Sequence, residues 1–536
     1  MVFTLQRYIL RELLKVFVLA TIALSLILSL GSVLRPIQQY GVGPRQVVSL
    51  LWYFMPITLT FVLPMAALFA AALIYGRFAA DNELDACRAS GISLFTMVYP
   101  GLALAIVVAM ATLTLSFYVV PAYVQRAEKA VKADAKQILF RNIQRRGYYN
   151  LPDGRYRVYA DLADERNNQL LGVVVAETKD GLIEQLIVAE TADIQFVPHE
   201  QYTEVTIFAH NLYKIDSEFG VYMEWLPVST EFGSLLADNI KFKKIRQMKA
   251  IRSDFTQFYP VANLARAAYT RLAVELLADS ISSKIADTQD RFYRLGGKDR
   301  RTGENFFIEF TAARCSLEGE ATVKLAGQVT ILQYDAASGA PVCTWQCAEA
   351  ELQPVKSVAQ GPLSGLAMSV RNATQQANNG SRHLAYRHTF AELDWPQAVS
   401  RTLKPDLLET VESASLHLKN PTSTFTSLCE ELKQKITRTE AQIKAEMHSR
   451  MVFGLGCIPM ILISMALGIR FKGGHLLSAF GASTAPAGAL VVCIMTGRNI
   501  TKNPAIQANW GTGLMWASLA ALAVLAIVLH RRLLRN

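Results

Sequence analysis

Residues 61–93 read FVLPMAALFAAALIYGRFAADNELDACRASGIS: an apolar run, an abrupt charge boundary and a short polar segment. The apolar part belongs to a longer stretch, 46–76, without any Asp, Glu, Lys or Arg. A helix needs roughly 20 apolar residues to cross the hydrocarbon core of a bilayer, so this stretch predicts a membrane span. Pro56 and Pro64 lie inside it. Each removes a backbone hydrogen bond, and neighbouring helices in a membrane can satisfy the carbonyls so freed. Beyond the boundary at Arg77, the residues from Gly76 to Ser93 predict a connecting helix within about 77–93. It starts at Asp81 or Asn82 and stops at Gly91, where glycine adopts a left-handed conformation at no steric cost. Its small residues, Ala86, Cys87, Ala89 and Ser90, permit close approach of another surface.

Five further stretches are free of charged side chains: 16–34, 89–125, 451–469, 473–497 and 503–529. With 46–76 they form two groups of three, separated by a polar region too long to be a loop. The chain has 536 residues, 51% of them hydrophobic and only 18% charged, with a mean hydropathy of +0.22. Soluble domains usually carry about 25% charged residues, so a purely soluble protein is excluded. The expected fold class is an α-helical membrane protein with six transmembrane helices, three plus three, and a large inserted periplasmic β jelly-roll region with a second β-rich module. Residues 16–34 follow Arg7, Arg11 and Lys15, as a signal peptide follows its basic start. The apolar run is too long for that and no small-x-small cleavage site follows, so it reads as a retained helix. Ahead of it Leu5, Ile9, Leu13 and Val16 recur at helical spacing, which predicts an amphipathic start along the membrane surface that then turns into the bilayer.

Cytoplasmic loops accumulate Lys and Arg. With the N-terminus inside, the inner flanks hold Arg7, Arg11, Lys15, Arg77, Arg88, Arg470, Lys472, Arg531, Arg532 and Arg535, against Arg35, Arg45, Arg498 and Lys502 in the short outer loops. Both termini are therefore expected in the cytoplasm, and the large polar region in the periplasm of a two-membrane bacterium. The net charge of +10 is accounted for by this bias, and no nucleic-acid partner is expected.

The chain divides into 1–125 (helices one to three with the connecting helix), 126–260 (β jelly roll), 261–426 (a helical linker and an additional β-rich module) and 427–536 (a helix leading into spans four to six). Period-two segments at 155–160, 172–176, 185–189, 192–196 and 203–208 read as short strands. Strands at this spacing suggest a sandwich or jelly roll. The second strand-rich stretch, about 306–395, echoes the first. Val173 to Phe196 can be laid beside Val329 to Leu352, each a strand, a glycine turn, a strand and an Ala-Glu pair. Ser427-x-x-Glu430 forms a capping-box pattern, after which Leu428, Leu432, Ile436 and Ile443 stripe a helix that runs into span four.

Cys315, Cys343, Cys347 and Cys429 fall in the exported part and allow three pairings. In a strand, Cys343 and Cys347 share a face about 13 Å apart, which speaks for small buried thiols. His383 and His388, five apart, are poorly spaced for a shared metal. The phosphate-loop signature is absent, as are the H-E-x-x-H and G-x-S-x-G patterns of two hydrolase classes. No cofactor is expected, and the sequence favours a transporter or assembly component over an enzyme. A membrane-anchored periplasmic scaffold or sensor is the alternative; it has no need of the cytoplasmic helix at 77–93.

The run from Phe61 to Leu68, followed by Asn82-Glu83-Leu84 and Arg88 to Ser93, resembles the lipopolysaccharide-export permease family LptF/LptG (YjgP/YjgQ), whose members carry an LPMAALL…EL…RAsGiS block. Arg7-Tyr8, Gly172-Val173 to Ala189-Glu190, Arg450 and Asn503-Pro504 to Trp510 support it. The resemblance covers about 1–260 and 427–536; the stretch from about 285 to 420 departs from it. It implies a permease in the inner membrane that pairs with a second LptF/LptG-type subunit and binds an LptB-like cytoplasmic ATPase dimer. Such a complex extracts lipopolysaccharide and passes it to a periplasmic LptC/LptA-like bridge. Carried over residue by residue, Glu83 matches the coupling-helix glutamate that would pair with an ATPase arginine. Leu84, Ala86 and Cys87 would pack into the ATPase groove beside Arg88. Arg35, and less directly Arg45, would lie near the phosphates of the lipid. Spans one and five form the lateral opening in the family, and here span five is rich in Gly481, Ala482, Ser483, Ala485, Ala487 and Gly488, which permit close helix contact. Whether the chain is F-like or G-like, pairs with itself, or carries another envelope glycolipid is left open by the sequence.

Overall fold

The computed structural model describes residues 2–40, 44–133, 135–150, 156–164, 167–179, 182–198, 202–215, 220–233, 239–286, 291–298, 304–319, 321–355, 365–377, 381–413, 418, 421–471, 476–503 and 508–535. The side chains of some residues inside these helices and strands, 29–51 and 220–233 among them, lie outside the description. Two compact units result, 1–253 with 437–536, and 254–436.

The first unit opens with α1 (Val2–Tyr40), α2 (Pro44–Ala80), α3 (Glu83–Ala89) and α4 (Leu94–Thr114). A π-helical turn, Leu115–Val119, passes into α5 (Val120–Ala133), and α6 (Ala135–Arg146) follows. The amphipathic start of α1 behaves as its spacing predicts: Ile9 and Leu13 are buried, with Leu5 and Val16 packed beside them. The expected turn into the bilayer is absent, because α1 is a single helix; no Gly or Pro interrupts residues 2–30.

Strands β1 (Tyr148–Asn150), β2 (Tyr156–Asp164), β3 (Gln169–Lys179), β4 (Leu182–Pro198), β5 (Tyr202–Ile215) and β6 (Gly220–Gly233) form one antiparallel sheet in sequential order. This meander differs from the expected jelly roll, which needs Greek-key crossovers between two sheets. Period-two patterning reports faces, not connections, and each described strand here pairs with its sequence neighbours. The two strands expected at 185–189 and 192–196 are one, β4. The reason is a row across the sheet at which the inward face changes parity. Gly172 (φ 61°) on β3 and Asn211 (φ 49°) on β5 flank Glu190 of β4, and Asn211 Nδ2 donates to Glu190 Oε2 at 2.8 Å. On one side of the row Val173, Val175, Ile187 and Ala189 face the core, and on the other Leu170, Ala192 and Ile194 do. Leu139, Phe140 and Ile143 of α6 fill the same core.

After α7 (Ile245–Ser253), the second unit holds α8 (Tyr259–Ile285), strands β7 (Tyr293–Lys298), β8 (Asn305–Thr311), β9 (Arg314–Glu318), β10 (Thr322–Asp335), β11 (Pro341–Pro354), β12 (Leu366–Ala377) and β13 (Arg382–Leu393), and the short helices α9 (Gln397–Thr402) and α10 (Leu407–Glu412). The strands close into a ring, β7-β8-β10-β11-β12-β13 and back to β7 through Leu393 and Gly297, with β9 on the first half of β10. The interior is filled by Ile308, Phe310, Leu325, Ile331, Trp345 and Met368, and α8 adds Val274, Leu277, Ala278 and Ile281. Cys343 and Cys347 are buried there, as the strand reading anticipates, and all seven cysteines are free thiols. Burial against apolar neighbours pushes Cys347 up to about 11. Arg271 and Glu275 of α8 pair at 2.8 Å with side chains only 4% and 2% exposed. Arg271 also donates to the Gly319 carbonyl and to Thr422 Oγ1, and Glu275 accepts from the Thr422 amide and hydroxyl.

The long α11 (Ser423–Arg470), α12 (Leu476–Lys502) and α13 (Ala508–Arg535) complete the chain. Among the described residues five helical segments are long and apolar enough to cross a membrane: Met55–Ala80, Leu94–Lys129, Ser423–Arg470, Phe480–Lys502 and Asn509–Leu533. The expected first span, 16–34, lies on α1 partly outside the described side chains. Where α11 meets α2, a Cβ on Gly468 would lie 2.8 Å from the Ala72 carbonyl. Gly497 and Gly511 bring α12 and α13 together in the same way. The small residues singled out on span five do this only in part: Ser483 and Ala487 are buried, whereas Gly481 and Gly488 face open space.

Candidate functional site

Two places in the first unit bring candidate side chains together. The first is built on α3. Asn82 takes a left-handed conformation (φ 57°) that ends α2 and starts α3, a geometry that Asn tolerates better than most residues. At the other end the Gly91 amide donates to the Arg88 carbonyl and the Ile92 amide to the Cys87 carbonyl, the paired bonds that a glycine with φ +81° makes possible. Ser93 then caps α4 by accepting from the Thr96 amide. The helix therefore starts and stops where expected, the start at the left-handed Asn82, whose side chain makes no capping hydrogen bond, and the stop at the paired bonds around Gly91.

Those caps fix which side chains face out. Glu83, Ala86 and Arg88 are exposed, and Cys87 is half-buried. Leu84 corrects the expectation that it faces a partner: it is 4% exposed and packs with Phe78, Leu94 and Met97 in the chain's own core. So short a helix has to bury one anchor to hold its position, and Leu84 is that anchor. Nearby, Arg77 lies 5.5 Å from the Phe78 ring centroid and 3.8 Å from Glu12, while Glu12 accepts from Lys15 at 2.7 Å. The Lys15 hydrogen bond holds the Glu12 carboxyl below its usual range.

The second place centres on Arg450, which the sequence marks only as the entry to span four. Its guanidinium donates to Glu446 Oε1 (3.1 Å) and to the carbonyls of Ser116 (2.9 Å), Lys243 (3.3 Å) and Lys241 (2.6 Å), and it lies over the Phe117 ring. Ser116 sits in the π-helical turn. Such turns use wider i to i+5 bonding and recur at functional sites. Glu446 and Arg450 are nearly buried, with side chains 7% and 6% exposed. Arg498 at the end of α12 reaches Glu446 Oε2 at 3.4 Å and stays 29% exposed. Lys502 stands within electrostatic reach of Arg498, Glu446 and Lys241. One carboxylate thus faces three cationic side chains, Arg450, Arg498 and Lys502, with the charge of Lys241 near Lys502, which leaves a site that attracts an anion. No pattern in the sequence joins residues 241, 446, 450, 498 and 502; only the approach of α11 and α12 does.

Arg35 lies on α1 and Arg45 on α2, but both side chains fall outside the described residues. No group of His, Cys, Asp or Glu suited to a metal ion occurs among the described residues. His388 is half-buried, stacked on Trp345, while His383 is exposed.

No curated protein matches the chain. Residues 7–268, just under half of the chain, match the family described as lipopolysaccharide export system permease LptF/LptG, and that stretch belongs to the family.

Proposed function

We propose that this chain is the permease subunit of an ABC-type lipopolysaccharide exporter, in which a separate LptB-like ATPase dimer supplies the energy and a second LptF/LptG-type subunit completes the membrane unit. The family and the five apolar helices are those of a multi-pass inner-membrane protein. In this reading both termini face the cytoplasm and the β units face the periplasm, where the lipid passes to an LptC/LptA-like bridge.

The observation that carries the reading is the outward face of α3. A capped helix anchored by Leu84 presents Glu83, Ala86 and Arg88, a rigid polar projection that gives a nucleotide-driven subunit something to push. A well-desolvated carboxylate–arginine contact to a partner typically shows coupling of about 1.5–7 kcal/mol. Glu83→Ala leaves both caps and Leu84 in place, so the expected outcome is a folded permease that loses the ATPase subunit or its coupling. Unchanged lipid transport by that variant would sink the assignment.

The cationic excess around Glu446 supports a role in receiving the phosphorylated headgroup. Arginine offers a planar, bidentate match to phosphate, and Arg498 with Lys502 are the partly exposed members. Photocrosslinking of lipopolysaccharide from position 498 should fall several-fold when Lys502 is changed to Gln, and undiminished crosslinking would remove Lys502 from the site.

A further inference from the structure

The ring closes at one end of β13 only. β12 runs beside β13 from Arg382 to Leu393, whereas β7 meets it at Leu393 alone. From Arg382 to Ala391, about ten residues and roughly 33 Å of strand, one edge of β13 therefore has no strand beside it among the described residues. Proteins blunt exposed edges with Lys, other charges or Pro. The exposed Arg382 fits that pattern, but Leu384 and Tyr386, on the same face two and four residues on, do not. They are 72% and 82% exposed, more than any other large apolar side chain described in the two β regions. The charge around them is one-sided: no Asp or Glu occurs from Gln353 to Ala391, against Lys356, Arg371, Arg382 and Arg387. All of this lies beyond residues 7–268, the part that matches the family.

We propose that this edge takes an extended acidic segment of another protein as an added strand, its apolar side chains against Leu384 and Tyr386 and its carboxylates toward the cationic hairpin. In strand addition the main-chain hydrogen bonds give affinity, and alternate side chains give specificity. Charge complementarity selects an acidic segment. A second copy offering the same edge would bring like charges together, and like charges directly opposite one another destabilise a strand pair. A lipid surface is disfavoured for a different reason, since unpaired N–H and C=O groups of a strand edge are costly to bury in hydrocarbon.

The test uses the full chain in phosphatidylcholine nanodiscs and fluorescence anisotropy with labelled peptides of about ten residues, the length of the open edge. One peptide alternates Val with Glu, a second alternates Val with Lys, and a third is the Glu peptide with its backbone amides N-methylated. The wild type should bind the Glu peptide several-fold more tightly than either of the others. Leu384→Glu/Tyr386→Glu, at two exposed positions, should abolish that preference while residues 254–436 keep their protection in pulse proteolysis. Arg382→Gln should weaken it several-fold and decides the matter if the double variant fails to fold; unchanged affinity there overturns the proposal. Leu162→Glu, at an exposed position of the meander, should leave it unchanged. Equal binding of the Glu and Lys peptides overturns the acidic partner, and equal binding of the N-methylated peptide overturns strand addition. Dimerisation of the chain through this edge, or cosedimentation with phosphatidylglycerol vesicles that depends on Leu384 and Tyr386, gives the edge another occupant and overturns the proposal as well.

Discussion

The two β regions carry the same device and use it to opposite ends. In the meander, Gly172, Glu190 and Asn211 form a row across β3, β4 and β5 where the inward face changes parity. In the ring, Gly327 and Gln328 (φ 76° and 44°), Ala348 and Asn372 (φ 48°) form the equivalent row across β10, β11 and β12. On either side of it Leu325 and Val329, Cys347 and Ala350, Val370 and Ala373 all face inward. Left-handed residues in a strand sharpen its twist and bend it. The first sheet bends over α6 and stays open; the second bends until β13 meets β7. Local sheet chemistry therefore sets curvature, and what lies beyond the bend decides closure. In the ring that is α8, held by the buried Arg271–Glu275 pair and Thr422.

Removing the pair is the strongest way to break the comparison. Glu275→Ala strands a buried guanidinium and takes the acceptor from Thr422, and breaking a buried pair this way costs about 3–5 kcal/mol. Pulse proteolysis of the full chain should show residues 254–436 losing protection while the meander keeps its own. Arg271→Met/Glu275→Leu should recover much of the loss, because well-packed apolar replacements of a buried pair are often neutral. If the single variant costs nothing, or the double recovers nothing, the pair is not what holds α8.

The sequence carried the equivalence only as far as the first hairpin of each row. Val173 with Val329 is a correct match, since each follows a left-handed residue. Beyond the turn the correspondence slips by two. Val173 pairs with Ala189 but Val329 with Cys347, so Ala192 answers to Ala350 and the shared Ala-Glu pair is out by one. A hairpin of different length hides such a shift from a linear alignment. Asn211 and Asn372 are legible only as polar interruptions of a strand, and nothing local says that they close a three-strand row. The membrane helices and α3 were legible because charge boundaries and caps are local. The Arg450 cluster was not, since Lys241 and Arg450 meet although the whole of residues 254–436 lies between them in the chain.

Substituting the bulge glycines sharpens the equivalence. A non-glycine residue held in the left-handed region costs about 1–2 kcal/mol. Gly172→Ala adds a contact with the Asp161 carboxylate, an exposed side chain able to move, and Gly327→Ala meets the Ala313 Cβ at 3.0 Å. Each should weaken hydrogen-exchange protection of its own region by about that amount and leave the other unchanged. A loss confined to one glycine would mean that the rows are not structurally equivalent.

The smallest effect separates the regions by pH. His388 is stacked on Trp345 at 4.3 Å between ring centroids, with Phe390 against its edge. Burial in this apolar setting disfavours the imidazolium and lowers its pKa below the ordinary 6.5. A base whose pKa is depressed on folding binds fewer protons in the native state, so its contribution is present above the unfolded pKa and is lost as pH falls through the folded one. Moving from pH 7.5 to 5.5 should lower the urea midpoint for residues 254–436, read by pulse proteolysis. His388→Phe keeps the stacking and removes the titration, so its midpoint should move less over the same interval. If both proteins shift equally, acid sensitivity of the ring arises from other groups, such as Lys324, which Glu349 and Glu318 hold above its usual range through pairs that weaken as those carboxylates protonate.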